Sequence, residues 1–246
     1  MIVYKVLTGN HPYIINEDYF DPRIKYYYFH THEIKNKSGK WKFIKIPVEQ
    51  SLLYTQRKYK ILSHKLFEEP SIYLDFNYKQ KPNFYENNIK LLNENSYTVG
   101  KHHFRLHYID EICDWLILFA EINTLIKITR YLKYIKYNFN VHFGCECGYL
   151  CRDNSKQTKE LNNMWWHFWK KFKKRDQLFF PVATYFTKNK VNLVDTLKCM
   201  YVVTSNVMFR KKPKNITNEI PNFVKQINSI TKRTDTFNSK IITYRL

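Results

Sequence analysis

The first third of the chain alternates short apolar or aromatic runs with turn residues. Ile2–Leu7 is mostly apolar and stops at Gly9, Lys25–His30 is rich in tyrosine, and residues 41–46 end before a proline. Runs of this length, bounded by Gly, Pro or Asn, are typical of β-strands. The pattern therefore predicts three strands before residue 50.

A helix and a fourth strand follow. Residues 51–67 carry apolar side chains at helical spacing, and Ser71–Leu74 is again a short apolar run. A strand, a helix and a strand within about 30 residues form the βαβ unit from which parallel sheets are built. We therefore expect an α/β protein with parallel strands.

The second half of the chain is dominated by helical patterns. Residues 109–137 have the spacing of one interrupted helix or two helices, 141–152 return to strand character, and 158–173 and 176–186 are helical. Leu161, Phe168 and Phe172 share one face of the 158–173 helix with Trp165 and Trp169, so both tryptophans are expected in the core. Trp166 lies off that face, which makes it a candidate for stacking on a sugar or a base.

The composition is that of a folded chain. The 246 residues are 44% hydrophobic and 17% aromatic, enough to bury a sizeable core. Gly is scarce while Lys, Asn, Ile and Tyr are abundant, as an A+T-rich genome, such as that of a large DNA virus or a parasite, would produce. Residues 210–246 carry nine Lys or Arg against two carboxylates. We predict a catalytic domain over 1–205 and a basic extension over 206–246.

The formal net charge of +20, with a pI of about 9.6, raises the question of a polyanionic partner. The basic residues are scattered, however, and no helix-turn-helix, zinc-finger or RNA-binding signature accompanies them. Charge without such a motif is weak support for nucleic-acid binding. Nucleic acid is therefore the less favoured partner.

Five cysteines, an odd number, do not suggest a disulfide framework. The N-terminus does not resemble a signal peptide, and the longest apolar run, residues 115–120, is too short to span a bilayer. These features predict a cytoplasmic protein with reduced thiols and no transmembrane segment.

Three of the cysteines and a histidine lie close together in the sequence. His142, Cys145, Cys147 and Cys151 offer nitrogen and sulfur ligands for zinc, but Cys-x-Cys lacks the usual spacer. Alternatively, the three cysteines share one face of a buried strand by its period of two. We favour the buried strand.

Asp75 is the most informative acidic residue, because it directly follows the apolar strand Ser71–Leu74. In a parallel sheet such a carboxylate emerges at the edge where ligands bind. Together with the oxygen of Asn77 it could hold Mn²⁺ or Mg²⁺, which in turn would bind a diphosphate. Arg57 and Lys60, about one turn apart on the preceding helix, could neutralise the same diphosphate. Asp75 could equally cap a turn, with the basic residues at the surface.

Six ordered blocks over residues 1–195 resemble the glycosyltransferase-like family that includes the plant mucilage galacturonosyltransferases. Residues 57–80, R-K-Y-K-I-L-S-H-K-L-F-E-E-P-S-I-Y-L-D-F-N-Y-K-Q, resemble the Y-K-I-L-P-H-K and I-W-I-D-G-N segments of that family. The remaining blocks are T-G-N at 8–10, K-H-H-F-R at 101–105, E-C-G-Y-L-C-R at 146–152, and W-W at 165–166 with K-R-D-Q-L at 174–178. The chain departs from the family pattern at Ser63, Phe76 and His103, where the family has Pro, Gly and Pro.

The resemblance implies a GT-A-type, Rossmann-like α/β fold, with a mixed, mainly parallel sheet flanked by helices, and a nucleotide-diphosphate-sugar donor. It implies that Arg57 meets the phosphates and that Asp75 holds the ribose or a metal. Residues 8–10, which are Thr8, Gly9 and Asn10, would face the base and ribose. Asp176 and Gln177 would face the transferred sugar or the acceptor. The matching blocks supply further donor-binding candidates, namely Lys60, His64, Lys65, Asn77, His102, Arg105 and Arg175.

The chemistry follows from the charges that develop during sugar transfer. The leaving diphosphate gains negative charge, which a divalent cation with Arg57, Lys60 and His64 would stabilise. Glu146 or Asp176 could stabilise the oxocarbenium-like sugar or accept the proton of the acceptor hydroxyl. The leading hypothesis is a glycosyltransferase acting from a nucleotide-diphosphate sugar, UDP-linked in the first instance, onto a glycan or glycoprotein. The alternative is a catalytically degenerate nucleic-acid-binding or carbohydrate-binding protein.

Overall fold

The computed structural model describes residues 1–9, 19–34, 39–102, 108, 111–112, 121–139, 144–196, 200–202, 225 and 229. The chain divides into two compact units. The first comprises residues 1–102 and 145–208, and the second comprises residues 103–144 and 209–246. The predicted division at residue 205 remains a prediction.

The described part of the first unit contains nine strands and four helices. The strands are β1 (Ile2–Leu7), β2 (Lys25–His30), β3 (Lys42–Lys45), β4 (Ser71–Leu74), β5 (Tyr78–Gln80), β6 (Tyr97–Lys101), β7 (Cys145–Arg152), β8 (Asn192–Val194) and β9 (Met200–Val202). The helices are α1 (Leu52–Ile61), α2 (Phe84–Glu94), α4 (Lys156–Phe172) and α5 (Phe180–Thr187), while α3 (Ile122–Tyr134) belongs to the second unit. Two 3-10 turns, Ser63–Lys65 and Asp176–Leu178, follow α1 and α4.

Seven of the described strands form one mixed sheet in the order β3-β2-β1-β4-β7-β6-β8. β1, β2, β3 and β4 are mutually parallel, and β6 pairs in parallel with β8. β7 is antiparallel to both of its neighbours, β4 and β6. β5 and β9 pair separately and antiparallel. The predicted mixed, mainly parallel sheet flanked by helices is thereby confirmed.

The order of the strands reverses beside β1. From β1 the sheet continues to β2 and β3 on one side and to β4 on the other. In an open α/β sheet such a reversal separates the loops that follow two neighbouring strands and leaves a crevice at their carboxyl ends. The strand order therefore predicts a crevice between the segments that follow β1 and β4.

Local sequence explains where α1 and α4 begin. The Ser51 hydroxyl accepts a hydrogen bond from the Tyr54 amide at 3.1 Å, and the Ser155 hydroxyl accepts one from Thr158 at 3.2 Å. Such N-caps satisfy amides that the first helical turn leaves unpaired. α4 then buries Trp165 and Trp169 fully, as its pattern predicts.

A buried arginine joins the elements at the amino end of β4. Arg152, at the end of β7, is 0% exposed and donates to the carbonyl oxygens of Lys60 and Ile61 and to the Tyr4, Tyr97 and Asn162 side chains. All five partners are neutral groups. Hydrogen bonds offset the cost of burying a guanidinium. The Nε of Arg152 has no partner within the described residues, but the bonds of its two terminal nitrogens join α1, β1, β6 and α4.

Most of the predicted elements are present, with different bounds. The 41–46 strand is Lys42–Lys45, the 51–67 helix ends at Ile61, the 141–152 strand is Cys145–Arg152, and the 176–186 helix divides into a 3-10 turn and α5. Within the 109–137 pattern the structure describes α3, and residues 111–112 are helical as well. β5, α2, β6, β8 and β9 were not predicted, because their runs are short or rich in Asn and lack a clear period.

In the second unit, α3 buries Leu125, Ile128 and Leu132. Tyr108, Tyr137 and Phe139 contact one another through their rings, with centroids 5.2–6.1 Å apart. None of the helices in the described part of the chain combines the length and apolar character needed to cross a membrane.

Candidate active site at the carboxyl edge of the sheet

Several of the predicted site residues meet at one edge of the sheet. Thr8 and Gly9 follow β1, Asp75 follows β4, and His102 follows β6. Because β7 runs antiparallel, its first residues, including Glu146, lie at this same edge. The carboxyl edge therefore collects two carboxylates beside the crevice between β1 and β4.

Asp75 is held firmly but is not fully enclosed. Its amide donates to the Gly148 carbonyl at 2.8 Å, and its Oδ1 accepts from the Tyr73 hydroxyl at 2.6 Å. Tyr73 in turn accepts from Gln56 of α1 at 2.9 Å. Burial and the charge of Asp75 raise the pKa of Tyr73 well above its usual range, so its hydroxyl remains a donor. The carboxylate of Asp75 is thus oriented from one side and half-buried.

The second oxygen of Asp75 faces Gly148. A Cβ at position 148 would lie 3.1 Å from Asp75 Oδ2 and 2.7 Å from the Tyr78 ring. Any side chain there would displace one of these groups. Burial, and then the charge of Glu146, raise the pKa of Tyr78. The absence of a side chain at Gly148 therefore lets Asp75 and Tyr78 pack closely against β7, with Glu146 beside Tyr78.

Asp176, at the start of the second 3-10 turn, forms a buried cluster with two cations of α1. Lys60 Nζ lies 2.6 Å from its Oδ2 and Arg57 Nη2 lies 3.1 Å from its Oδ1. Burial alone would raise the pKa of Asp176, but the charges of Arg57, Lys60 and Arg175 together outweigh it and lower the pKa below its ordinary value. Asp176 is therefore ionised at neutral pH.

The two cations differ in exposure. The Lys60 side chain is 3% exposed and also lies over the Tyr73 ring at 5.0 Å, whereas the Arg57 side chain is 20% exposed. Lys58, between them in sequence, points elsewhere and binds both oxygens of Glu49 at 2.6 and 2.7 Å. Of the basic residues predicted on α1 to bind phosphate, Arg57 is partly exposed and its guanidinium also donates to the Gln56 side chain, while Lys60 is enclosed.

The segment around Asp176 is anchored by α4 and β7. Trp165 donates to the Asp176 carbonyl at 3.0 Å, and Trp169 donates to the Lys174 carbonyl at 2.6 Å. The Gln177 amide donates to the Cys145 carbonyl at 3.2 Å. Gln177 is thereby placed beside the first residues of β7, next to Glu146. Arg175 is half-buried next to Asp176.

His64 and Lys65 lie in the first 3-10 turn, away from this edge. His64 Nδ1 is 3.4 Å from the side-chain nitrogen of Asn162. The side-chain oxygen of Asn162 accepts a hydrogen bond from Arg152, at the amino end of β4. Burial, followed by the charge of Arg152, lowers the pKa of His64 to about 4. The imidazole is therefore uncharged at neutral pH, and the structure does not bring it together with Asp75. Lys65 is exposed to solvent.

The remaining predicted residues are placed as follows. Asn77 is half-buried in the turn after Asp75, and His102 is half-buried at the end of β6. Asn10 and Arg105 lie outside the described residues. Sequence analysis missed Tyr73 and Gly148, although Tyr73 shares the face of Asp75 by the two-residue period of a strand.

The prediction that Trp166 could stack on a sugar or a base is wrong. It is 8% exposed, stacks on Trp169 with ring centroids 5.0 Å apart, and meets the Tyr54 ring at 5.1 Å. Helical periodicity placed it off the apolar face, but α1 covers that side of α4. Trp166 is therefore buried and does not offer a ring to a ligand.

The three cysteines of β7 lie in a buried strand, the interpretation that the sequence analysis favours over a zinc site. Cys145, Cys147 and Cys151 are buried in β7, and the sulfurs of the first two lie 3.7 Å apart. Burial raises the pKa of Cys147 well above its usual range, which opposes the thiolate that zinc requires. His142 lies outside the described residues.

The oxygen atoms at the edge suit a hard cation. Across the described residues no group of three or more His, Cys, Asp or Glu side chains converges as a complete metal site. Mg²⁺-type sites commonly use one or two carboxylates and complete their coordination with substrate phosphates. Asp75 fits this chemistry because its carboxylate is half-buried at the carboxyl edge of the sheet.

A cleft of about 450 Å³ lies at the opposite edge of the sheet. It is lined by residues 92–97 before and at the start of β6, by the first turn of α4 and by residues 188–190. None of the predicted site residues lines it. The cleft is therefore separate from the candidate active site.

The fold is thus a mixed, mainly parallel α/β sheet with a carboxylate at its reversal point. No family model matches the sequence, and no curated protein matches it. Among solved structures, the galactosyltransferase LgtC in complex with donor and acceptor sugar analogues aligns with 11% identity and a TM-score of 0.45, covering 98% of this chain and 100% of that chain.

Two further solved glycosyltransferase structures align with this chain. Mouse xyloside xylosyltransferase 1, in its apo form, has 12% identity and a TM-score of 0.46, over 78% of this chain and 84% of its own. GlyE of Streptococcus pneumoniae TIGR4 has 12% identity and a TM-score of 0.43, over 80% of this chain and 45% of its own.

Proposed function

We propose that the protein is a GT-A-type glycosyltransferase that moves a sugar from a nucleotide-diphosphate donor to a hydroxyl group of a glycan or glycoprotein. The observation that carries the proposal is the oriented, half-buried carboxylate of Asp75 at the point where the strand order reverses. Open α/β sheets bind nucleotides at this point. The ordered sequence blocks of the galacturonosyltransferase-containing family add support, and a UDP-sugar is the first donor to test.

In this proposal the donor lies across the crevice between β1 and β4. The loop of Thr8, Gly9 and Asn10 contacts the nucleoside. Gly9 suits close approach because its φ is +90° and it has no side chain. The exposed face of Arg57 meets the diphosphate. Asp176 positions Arg57 through their salt bridge, and Lys60 serves as the buried counter-charge. His102, Arg105 and Arg175 are additional donor contacts.

Asp75 and Asn77 would hold a divalent cation, Mn²⁺ or Mg²⁺, if one is used. When bound, such a cation neutralises charge on the leaving diphosphate. The Tyr73 hydroxyl fixes one oxygen of Asp75, so the other is directed toward the ligand.

We assign Glu146 as the general base that accepts the proton of the acceptor hydroxyl group. A good general base has a pKa close to the working pH, and the lowered pKa of Asp176, together with its two salt bridges, makes Asp176 a poor base. Glu146 lies at the edge, is half-buried and forms no salt bridge within the described chain. Gln177, anchored next to it, would contact the transferred sugar. We assign no role in donor binding to His64 and Lys65.

We expect a nucleoside diphosphate to stabilise the protein against thermal unfolding. A ligand at 100 times its Kd adds about 2.7 kcal/mol, which corresponds to a rise in Tm of roughly 5–10 °C for a chain of this size. A panel of nucleoside diphosphates and their sugars, with and without Mn²⁺, identifies the nucleotide. No shift at millimolar concentration, combined with steeply salt-dependent DNA binding, would support the nucleic-acid alternative instead.

Arg57→Ala should weaken binding of the responsive nucleoside diphosphate by about 10- to 100-fold, the value of one or two charged hydrogen bonds. Lys58→Ala is the matched control. It removes an equal charge from the adjacent position, but its ammonium binds Glu49. Titration calorimetry should therefore show less than about a threefold change for Lys58→Ala. Equal losses at both positions would indicate diffuse electrostatic attraction and contradict the role of Arg57.

A further inference from the structure

Three aliphatic side chains are exposed between the end of β3 and the first turn of α1. Val48 is 52% exposed, Leu52 is 43% exposed and Leu53 is 46% exposed. A single exposed aliphatic residue is ordinary, but three within six consecutive residues form a patch that commonly marks an interaction surface. The first turn of α1 therefore presents apolar groups to solvent.

Two exposed lysines lie at the end of α4, and one of them contacts the segment that carries this patch. Lys173 donates to Gln50 at 3.1 Å and lies 5.8 Å from the centre of the Tyr54 ring, and these two partners flank Leu52 and Leu53 in sequence. Lys170 is exposed three residues earlier in the chain. Lys173, which directly follows α4, therefore lies against the start of α1, and Lys170 is a second exposed lysine one turn earlier.

The acidic residue in the same segment is already neutralised. Both carboxylate oxygens of Glu49 are bound by Lys58, at 2.6 and 2.7 Å. The partners of Lys173 are an amide and an aromatic ring, both neutral. The lysine-rimmed surface, defined as Val48, Leu52, Leu53, Lys170 and Lys173, is therefore apolar at its centre and positive at its border.

This surface adjoins the candidate active site. A Cβ on Gly9, in the loop after β1, would lie 3.5 Å from Leu52 Cδ1. An object bound to the lysine-rimmed surface would therefore lie beside the crevice between β1 and β4.

We propose that the lysine-rimmed surface docks on an anionic lipid membrane. The aliphatic side chains would enter the boundary between headgroups and acyl chains, and the two lysines would lie at the level of the lipid phosphates. Nucleic acid would engage the lysines but not the aliphatic centre. A second copy of the chain would bring like charges together across the interface. The inference concerns a surface outside the donor site and does not depend on the proposed sugar transfer.

Vesicle co-sedimentation of the full chain tests the proposal. We expect binding to vesicles of phosphatidylcholine with about one-third phosphatidylserine, and much weaker binding to phosphatidylcholine alone. Val48→Ser/Leu53→Ser should lower the partition coefficient about tenfold. Lys170→Glu/Lys173→Glu should lower it at least about thirtyfold. Leu52 is left intact because it contacts the donor-site loop.

Two matched controls separate this surface from the overall positive charge. Lys90→Glu/Lys190→Glu makes the same change in net charge at exposed positions of α2 and of the opposite edge of the sheet, and Tyr185→Ser removes an exposed aromatic ring of α5. Both control variants should bind the vesicles with a partition coefficient within about threefold of that of the unmodified protein. The proposal would be overturned if Lys90→Glu/Lys190→Glu lowered vesicle binding as much as Lys170→Glu/Lys173→Glu does. It would also be overturned if Val48→Ser/Leu53→Ser left vesicle binding unchanged.

Two further measurements distinguish other outcomes. Sedimentation without lipid shows whether the surface instead pairs two copies, in which case Val48→Ser/Leu53→Ser would abolish a dimer and vesicle binding would be absent. The nucleotide-induced rise in Tm, measured on the same variant, should match that of the unmodified protein. Failure of membrane docking is thereby distinguished from failure of the donor site.

Discussion

Asp75→Asn should abolish sugar transfer while leaving the fold intact. Asparagine keeps the shape of the side chain and an oxygen that can accept from Tyr73, but it removes the charge directed into the crevice. Because this charge would bind a divalent cation or orient the ribose, we expect turnover to fall about 100-fold or more. Release of the nucleoside diphosphate from the donor, with or without an acceptor, measures turnover.

Asp153→Asn provides a matched control for the charge change. Asp153 follows β7 at the opposite edge of the sheet, and its Oδ1 accepts from the Ser155 amide at 3.0 Å and the Thr158 hydroxyl at 2.7 Å. It stabilises the start of α4, so its variant should unfold at a lower temperature yet keep its turnover per folded molecule. If Asp75→Asn behaves in this way instead, Asp75 is structural and the active site lies elsewhere.

Asp176→Ala should destabilise the protein by about 3–5 kcal/mol, because removing one member of a buried ion pair leaves an uncompensated charge. Lys60 is 3% exposed and its ammonium lies 2.6 Å from the carboxylate, so it cannot reach water without a rearrangement. Arg57, being partly exposed, can turn toward solvent. Urea denaturation gives the change in the free energy of unfolding.

A double variant distinguishes a lost ion pair from lost packing. Lys60→Met/Asp176→Leu replaces both charges by apolar groups, and such replacements are often neutral or stabilising. The double variant should therefore be more stable than Asp176→Ala. If Lys60→Met and Asp176→Leu instead lower stability additively, the two residues do not depend on each other, and the assigned role of the cluster is wrong.

The same cluster predicts a dependence of stability on pH. The pKa of Asp176 is lowered in the folded protein, so its contribution is present above the unfolded pKa of about 3.9 and is lost as pH falls below it toward the folded pKa. His64, whose pKa falls to about 4 on folding, also destabilises the protein on acidification, but between its unfolded pKa of about 6.5 and 4. His64 contributes equally to the unmodified protein and to Asp176→Ala, so its contribution cancels when the free energy of unfolding of one is subtracted from that of the other. That difference should be constant above about pH 5 and shrink below pH 4.

The local secondary structure and the position of Asp75 after a buried strand follow from the amino-acid sequence alone. Alternation and aromatic content marked β1, β2 and β4 with the bounds that the structure shows, and helical spacing marked α4 with Trp165 and Trp169 in the core. These features depend on residues two to four apart, which the order of the chain specifies directly. The same reasoning placed Asp75 at the end of a buried strand.

Only the tertiary structure decided which of the candidate residues act together. It inserted β7 antiparallel between β4 and β6, which brought Glu146 to the edge of Asp75. It paired Asp176 with Lys60 and enclosed Trp166 beneath α1. It also placed His64 beside Asn162, near the far end of β7. Each of these outcomes depends on contacts between residues distant in sequence, where strand pairing and burial set the neighbours and no local period records them.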